Sequence, residues 1–153
     1  MVHFKIFFVI PLLAAMLSAQ TPAKQQGKQA PTPAQQSFGE RVLHVAQVNL
    51  MLLQALGAKT SAPSVDGNAT SKAASLAALM RVGEYGVAVI KELGEDGLLA
   101  TIDSPGPVGW FMGPKVSRQR VLHFLMEHSQ DTYGQLVVYA RMNGVTPPLS
   151  RQP

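Results

Sequence analysis

Residues 118–151 read RQRVLHFLMEHSQDTYGQLVVYARMNGVTPPLSR, and the spacing within them decides the fold. Val121, Leu125, His128, Thr132, Leu136 and Tyr139 recur every three or four positions, which places them on one face of a helix of about seven turns. Such a stripe must face a core. Ser117 is positioned to cap the start of this helix, and Asn143-Gly144 followed by Pro147-Pro148 stops it. His128 stands in the middle of the stripe, where a lone imidazole in an apolar wall is costly. It therefore needs either a hydrogen-bond partner or a metal.

Two further helices precede this one. Ser37-Phe38-Gly39-Glu40 has the form of a capping box, in which the serine hydroxyl and the glutamate carboxylate satisfy amides at a helix start. Val42, Val45, Val48, Leu52 and Leu56 continue it as an apolar stripe with Leu53 beside it, His44 lies at the stripe's edge, and Gly57 ends the run. Residues 58–69 are loop-like. The next helix is expected from Thr70 or Ser71 to Leu93, with Leu76, Leu79, Met80, Val87, Ile90 and Leu93 on its apolar side and Gly94 as its stop. Gly83 and Gly86 weaken it by about 1 kcal/mol each relative to alanine, unless they admit a neighbouring helix at close range.

Residues 95–116 contain SPGPVGWFMGP. Pro105, Pro107 and Pro114 argue against helix, so this is expected to be an irregular crossover loop. Trp110, Phe111 and Met112 are expected to plug one end of the bundle, because exposed apolar clusters are rare in soluble monomers.

Two of these helices carry a family resemblance. EHSQDTYGQLVVYARMNGVTPP is similar to the last helix of DinB-like proteins, usually H-x-x-x-H-Y-G-Q/N-(L/I)-V-x-Y-x-R-x-x-G-(I/V)-x-P-P. The chain matches at His128, Tyr133, Gly134, Gln135, Val137, Tyr139, Arg141, Gly144, Val145, Pro147 and Pro148. SFGERVLHVAQVNLMLLQAL resembles the family's second helix, commonly SFG-x-x-x-x-H-(V/I)-A-x-x-N, in which His44 falls on a metal ligand. The resemblance implies an all-α, up-and-down helical bundle with three long helices in this chain, and a divalent metal, zinc or nickel, held by His44 and His128. It also implies a third histidine directly before the Tyr-Gly pair. Here that place is Thr132, a poor ligand for such a metal. Asp131 beside it points about 100° around the helix.

The N-terminal part reads differently. Residues 1–19 have the outline of a secretory signal peptide: Lys5, an apolar run from Ile6 to Leu17, and a small-residue exit at Ser18-Ala19. The run is short for a bilayer of about 30 Å, so no stable membrane anchor is expected after cleavage. Residues 20–36 are rich in Pro, Gln, Lys and Ala without a large apolar side chain, as in a disordered linker. The bundle is thus expected over residues 37–151, without the family's first helix. That would leave an apolar groove, for which a second copy of the chain, forming a dimer, is the simplest cover.

Charge narrows the function classes. The 153 residues hold 13 Lys and Arg against 9 Asp and Glu, and loss of the leader removes only Lys5 from that count. So mild and scattered an excess gives no nucleic-acid footprint. With no cysteine, thiolate metal sites, thiol nucleophiles and lipoprotein processing are all excluded. No nucleophile elbow, phosphate loop or H-E-x-x-H motif is present. The resemblance to DinB-like proteins then implies one of two things: an exported protein, periplasmic or secreted, with a two-histidine metal site and the activity of a metal-dependent hydrolase or thiol-dependent transferase acting on a small molecule; or a non-catalytic structural or binding bundle without metal that has kept only the scaffold. Tyr133, Tyr139 and Arg141 are expected to serve packing and helix-end charge.

Overall fold

The computed structural model describes residues 35–104 and 106–151. The leader expected at 1–19 and nearly all of the linker expected at 20–36 lie outside the described residues. Helix α1 (Phe38–Ala55) starts at the predicted capping box. The Ser37 hydroxyl accepts from the Glu40 amide at 3.4 Å, and the Glu40 carboxylate accepts from the Ser37 amide at 2.6 Å. These contacts hold the Glu40 carboxyl below its ordinary value. Gly57, at φ 71°, turns the chain out of the helix.

Helix α2 (Lys72–Leu99) is capped by Ser71 and broken at Gly94, whose φ of 61° and ψ of −176° are not helical. The predicted stop is therefore a kink, after which the chain takes one more helical stretch to Leu99. Helix α4 (Arg118–Met142) is capped by Ser117 and closes at Asn143. Of its predicted stripe, Val121, Leu125, Thr132, Leu136 and Tyr139 are buried and His128 is half-buried. Three long helices thus pack through Val42, Val45 and Leu52 of α1, Leu79 and Val82 of α2, and Leu136 of α4, all with no exposed surface. Each such side chain contributes roughly 1.5–3 kcal/mol of transfer free energy. Gly86 permits the α1 to α2 approach, since an added methyl there would meet Leu53 Cδ1 at 3.1 Å.

The crossover between α2 and α4 is more ordered than its prolines suggest. It holds strand β1 (Thr101–Asp103), helix α3 (Pro107–Met112) and strand β2 (Lys115–Ser117). The strands are antiparallel, with Ile102 opposite Val116. Pro107 stands in the first turn of α3, where its missing N–H leaves no helical bond unmade. The predicted plug is formed only in part: Met112 is half-buried against the core, whereas the two aromatics are not. Val108 is buried, but Trp110 is 87% and Phe111 50% exposed, so the smaller side chain seals that end.

Two long polar contacts tie the loops down. Glu92 on α2 accepts from the Lys59 amide and from the Thr60 amide and hydroxyl, which keeps its carboxyl below the ordinary range. Arg118 donates from Nε to the Leu56 carbonyl at 2.6 Å and from Nη1 to the Gly97 carbonyl at 3.0 Å. One guanidinium thereby closes the end of α1, the end of α2 and the start of α4.

Candidate functional site

His44 comes from the second turn of α1 and His128 from the middle of α4, and helix packing brings their rings together. The two Nε2 atoms are 3.2 Å apart and the ring centroids 5.2 Å apart, inclined at 61°. At this separation a proton on one nitrogen can be shared with the lone pair of the other. The same spacing suits a shared ion, because two nitrogens about 2.0–2.1 Å from a tetrahedral metal stand roughly 3.3 Å apart. The donor set therefore fits a divalent metal at two positions.

Burial, more than the charges around the pair, favours neutral rings. Burial holds His44 below the usual imidazole value, with a smaller push in the same direction from the Arg41 guanidinium. His128 is lowered by burial first and then by His44 and Arg41, against an opposing pull from the Asp131 carboxylate. Neutral imidazole is the metal-binding form. It also links the site to stability. Both folded values lie below the unfolded value of about 6.5, so the unfolded chain takes up more protons as pH falls below about 6.5. This part of the stability is complete above that pH and is lost as pH falls through the folded values. A melting midpoint lower at about pH 5 than at about pH 7.5 is expected, and the difference should shrink in the double variant His44→Asn, His128→Asn. An unchanged difference would place the acid sensitivity elsewhere.

The other expected neighbours do not complete a ligand set. Thr132 is buried, and its hydroxyl donates to the His128 carbonyl at 3.0 Å, so it serves its own helix. Asp131 is exposed and accepts from Gln135 Nε2 at 2.8 Å. Among the described residues no group of three His, Asp or Glu side chains could hold a metal. His128 Nδ1 is buried without a hydrogen-bond partner, so the ring lacks the outer acceptor that normally fixes a metal-binding histidine.

Several contributors escaped the sequence reading. Arg41 lies one turn before His44, and its buried Nε has no partner. Phe124 stands 6.5 Å from the His128 ring and 5.0 Å from Phe111, centroid to centroid, which extends the site as an aromatic row toward α3. Buried Asn49 and Ser129 join α1 to α4 through a 3.2 Å bond from Ser129 Oγ to Asn49 Oδ1. Asn49 had a signal, as the closing residue of the SFG motif. Tyr139 donates to the Gln36 carbonyl at 2.5 Å, and Arg141 donates to Ser150, in keeping with structural roles.

A family model described as the DinB superfamily matches residues 12–136, most of the chain. Among solved structures, the chain is similar to the crystal structure of a DinB-like protein from Bacillus cereus ATCC 10987. That likeness has a TM-score of 0.76 at 19% identity, with 94% of this chain and 91% of that one covered. At this identity the likeness speaks for the fold alone. Among curated proteins none matches the chain.

Proposed function

We propose, for a chain that belongs to the DinB superfamily, that His44 and His128 bind a divalent metal, zinc or nickel, with the remaining coordination positions open to water or a small-molecule ligand. The observation that carries this reading is the 3.2 Å approach of two imidazole nitrogens from separate helices, with burial pushing both rings toward the neutral form. Two facing helices with packed backbones behind them hold such a pair with little freedom to splay. When bound, the metal would act as a Lewis acid that lowers the pKa of water or a thiol, the chemistry of a hydrolase or a thiol-dependent transferase. The protein's own part is to present two lone pairs and to shield one side of the site with Phe124. Export belongs to the same reading and is supported by the leader-like residues 1–19.

With two protein ligands, affinity should be modest. Equilibrium dialysis against zinc and nickel, followed by elemental analysis, is expected to give about one ion per chain in the wild type at saturation and none above background in His128→Ala, with circular dichroism showing both folded. Absence of metal from the wild type would overturn the reading. The chain would then be a non-catalytic bundle, an alternative favoured by the engagement of the Thr132 hydroxyl with the His128 carbonyl.

A further inference from the structure

Close to His44 along α1 stands a guanidinium whose buried Nε has no acceptor among the described residues. Arg118, Arg120, Arg141 and Arg151 each donate to a carbonyl, a carboxylate or a hydroxyl, and Arg81 is exposed to solvent. Arg41 differs. Its Nε is buried without an acceptor, and the ion pairs among the described residues are Lys115 with Asp103 and Arg120 with Glu127. The neighbouring carboxylates are already engaged, Glu40 by the Ser37 amide and Asp131 by Gln135. The position of Arg41 is set by its helix: three residues before His44, it shares that residue's side of α1. Helix geometry and the burial of its Nε together place Arg41 beside the His44 end of the pair.

A buried N–H on a charged group is costly to leave without an acceptor. The planar guanidinium fork matches a carboxylate or phosphate through two parallel bonds. Of the two ring N–H groups of the neutral imidazoles, one lies between the Nε2 atoms and the other remains as a donor, and Phe124 with Phe111 extends an apolar surface from beside His128. We propose that Arg41, beside the His44 and His128 pair, forms a subsite for a small ligand carrying an oxyanion, either a carboxylate or a phosphate. This goes beyond the metal reading and does not require it, because the guanidinium needs no ion to attract an anion.

The test uses the metal-free protein. Benzoate and inorganic phosphate are titrated separately, and binding is followed by amide and histidine-ring NMR shifts of the wild type, Arg41→Met and Arg41→Lys. The expected result is saturable binding of at least one anion, weakened tenfold or more in Arg41→Met and by a smaller factor in Arg41→Lys, which keeps the charge but not the fork. Preference for benzoate assigns the subsite to a carboxylate on an apolar body, and preference for phosphate assigns it to a phosphorylated ligand. If neither anion binds, or if Arg41→Met binds as the wild type does, the proposal is wrong. Were Arg41→Met unfolded, an affinity in Arg41→Lys within about twofold of the wild type would overturn it equally, since a bidentate site does not accept lysine unchanged. Failure of metal binding in the dialysis assay leaves this outcome untouched.

Discussion

Gly39→Ala is expected to destabilise the fold by roughly 3 kcal/mol or more, at or beyond the upper end of ordinary overpacking, and to lower the melting midpoint by about 10 °C in a domain of this size. Gly39 lies in the first turn of α1, where nothing in its backbone conformation demands glycine. The constraint is tertiary. A methyl built there would fall inside the van der Waals shell of the Thr70 carbonyl oxygen and 3.0 Å from the carbonyl carbon. Thr70 cannot easily retreat, because its amide is bonded to the Asn68 carbonyl at 2.8 Å and the next residue, Ser71, is the N-cap of α2. Two helix starts therefore meet at a spot with room for a hydrogen atom and nothing larger. The consequence should reach the site as well, since Arg41 and His44 come within the next two turns of α1. Gly134→Ala supplies the contrast: beyond the helix's own adjacent turns, no atom of the described residues lies within 4 Å of the added methyl, and a helix-interior glycine replaced there should gain up to about 1 kcal/mol. Chemical denaturation of the two variants beside the wild type checks both, and equal effects would show that the Gly39 contact carries no energy.

The helices of this chain were legible because each is written twice, once in its stripe and once in its caps. Ser37 with Glu40 and Ser117 mark two starts and act as N-caps in the structure, while the start expected at Thr70 or Ser71 is capped by Ser71. Where only one kind of signal was present, the reading was less complete. Gly94 was visible as a break, but whether the chain leaves the helix there or kinks and resumes depends on the residues beyond it, and the stretch from Glu95 to Leu99 is too short to show a periodic pattern. In the crossover, proline content outweighed position. Pro107 breaks a helix in the interior and suits one in the first turn, and α3 uses it in the second way. The three residues of β1 and of β2 are too short to show alternation above chance.

The candidate site divides along the same line. His128 could be named because it stands on an apolar stripe, whereas His44, at the edge of its stripe, was raised above an ordinary boundary histidine only by the resemblance to DinB-like helices. Their 3.2 Å approach depends on helix register, which no single stripe specifies. Arg41 was hidden by its own chemistry: an arginine in the first two turns of a helix is ordinarily a solvated surface charge, and the burial of its Nε appears only once the chain is folded. Trp110 and Phe111 were misplaced for a related reason. Large apolar residues in a loop are normally drawn into a core, but the space beneath α3 is filled by Val108, which leaves the aromatics outside and the Phe111 ring against Phe124.

Thr132→His is expected to raise zinc or nickel affinity by at least the 10- to 100-fold that even outer-shell partners of a metal are typically worth, because it would supply a third imidazole one turn beyond His128 on the same face of α4. In a helix the side chain leans toward the preceding turn, so an imidazole at 132 is directed back toward the His128 ring. The present threonine contributes nothing in that direction, since its hydroxyl is taken by the His128 carbonyl. The substitution has a cost. Thr132 is 1% exposed, and the larger ring must displace neighbours at roughly 1–3 kcal/mol, so the apo variant should melt below the wild type. Saturating metal should then raise its midpoint more than it raises that of the wild type, because a ligand that binds only the folded state stabilises it in proportion to its affinity. Thr132→Asn, polar and smaller than histidine, should show the packing cost in milder form without the gain in affinity. A Thr132→His protein that stays folded yet binds metal no more tightly than the wild type would mean that the open side of the His44 and His128 pair does not face the turn of residue 132, and the two rings would then be better described as a hydrogen-bonded pair within a structural bundle.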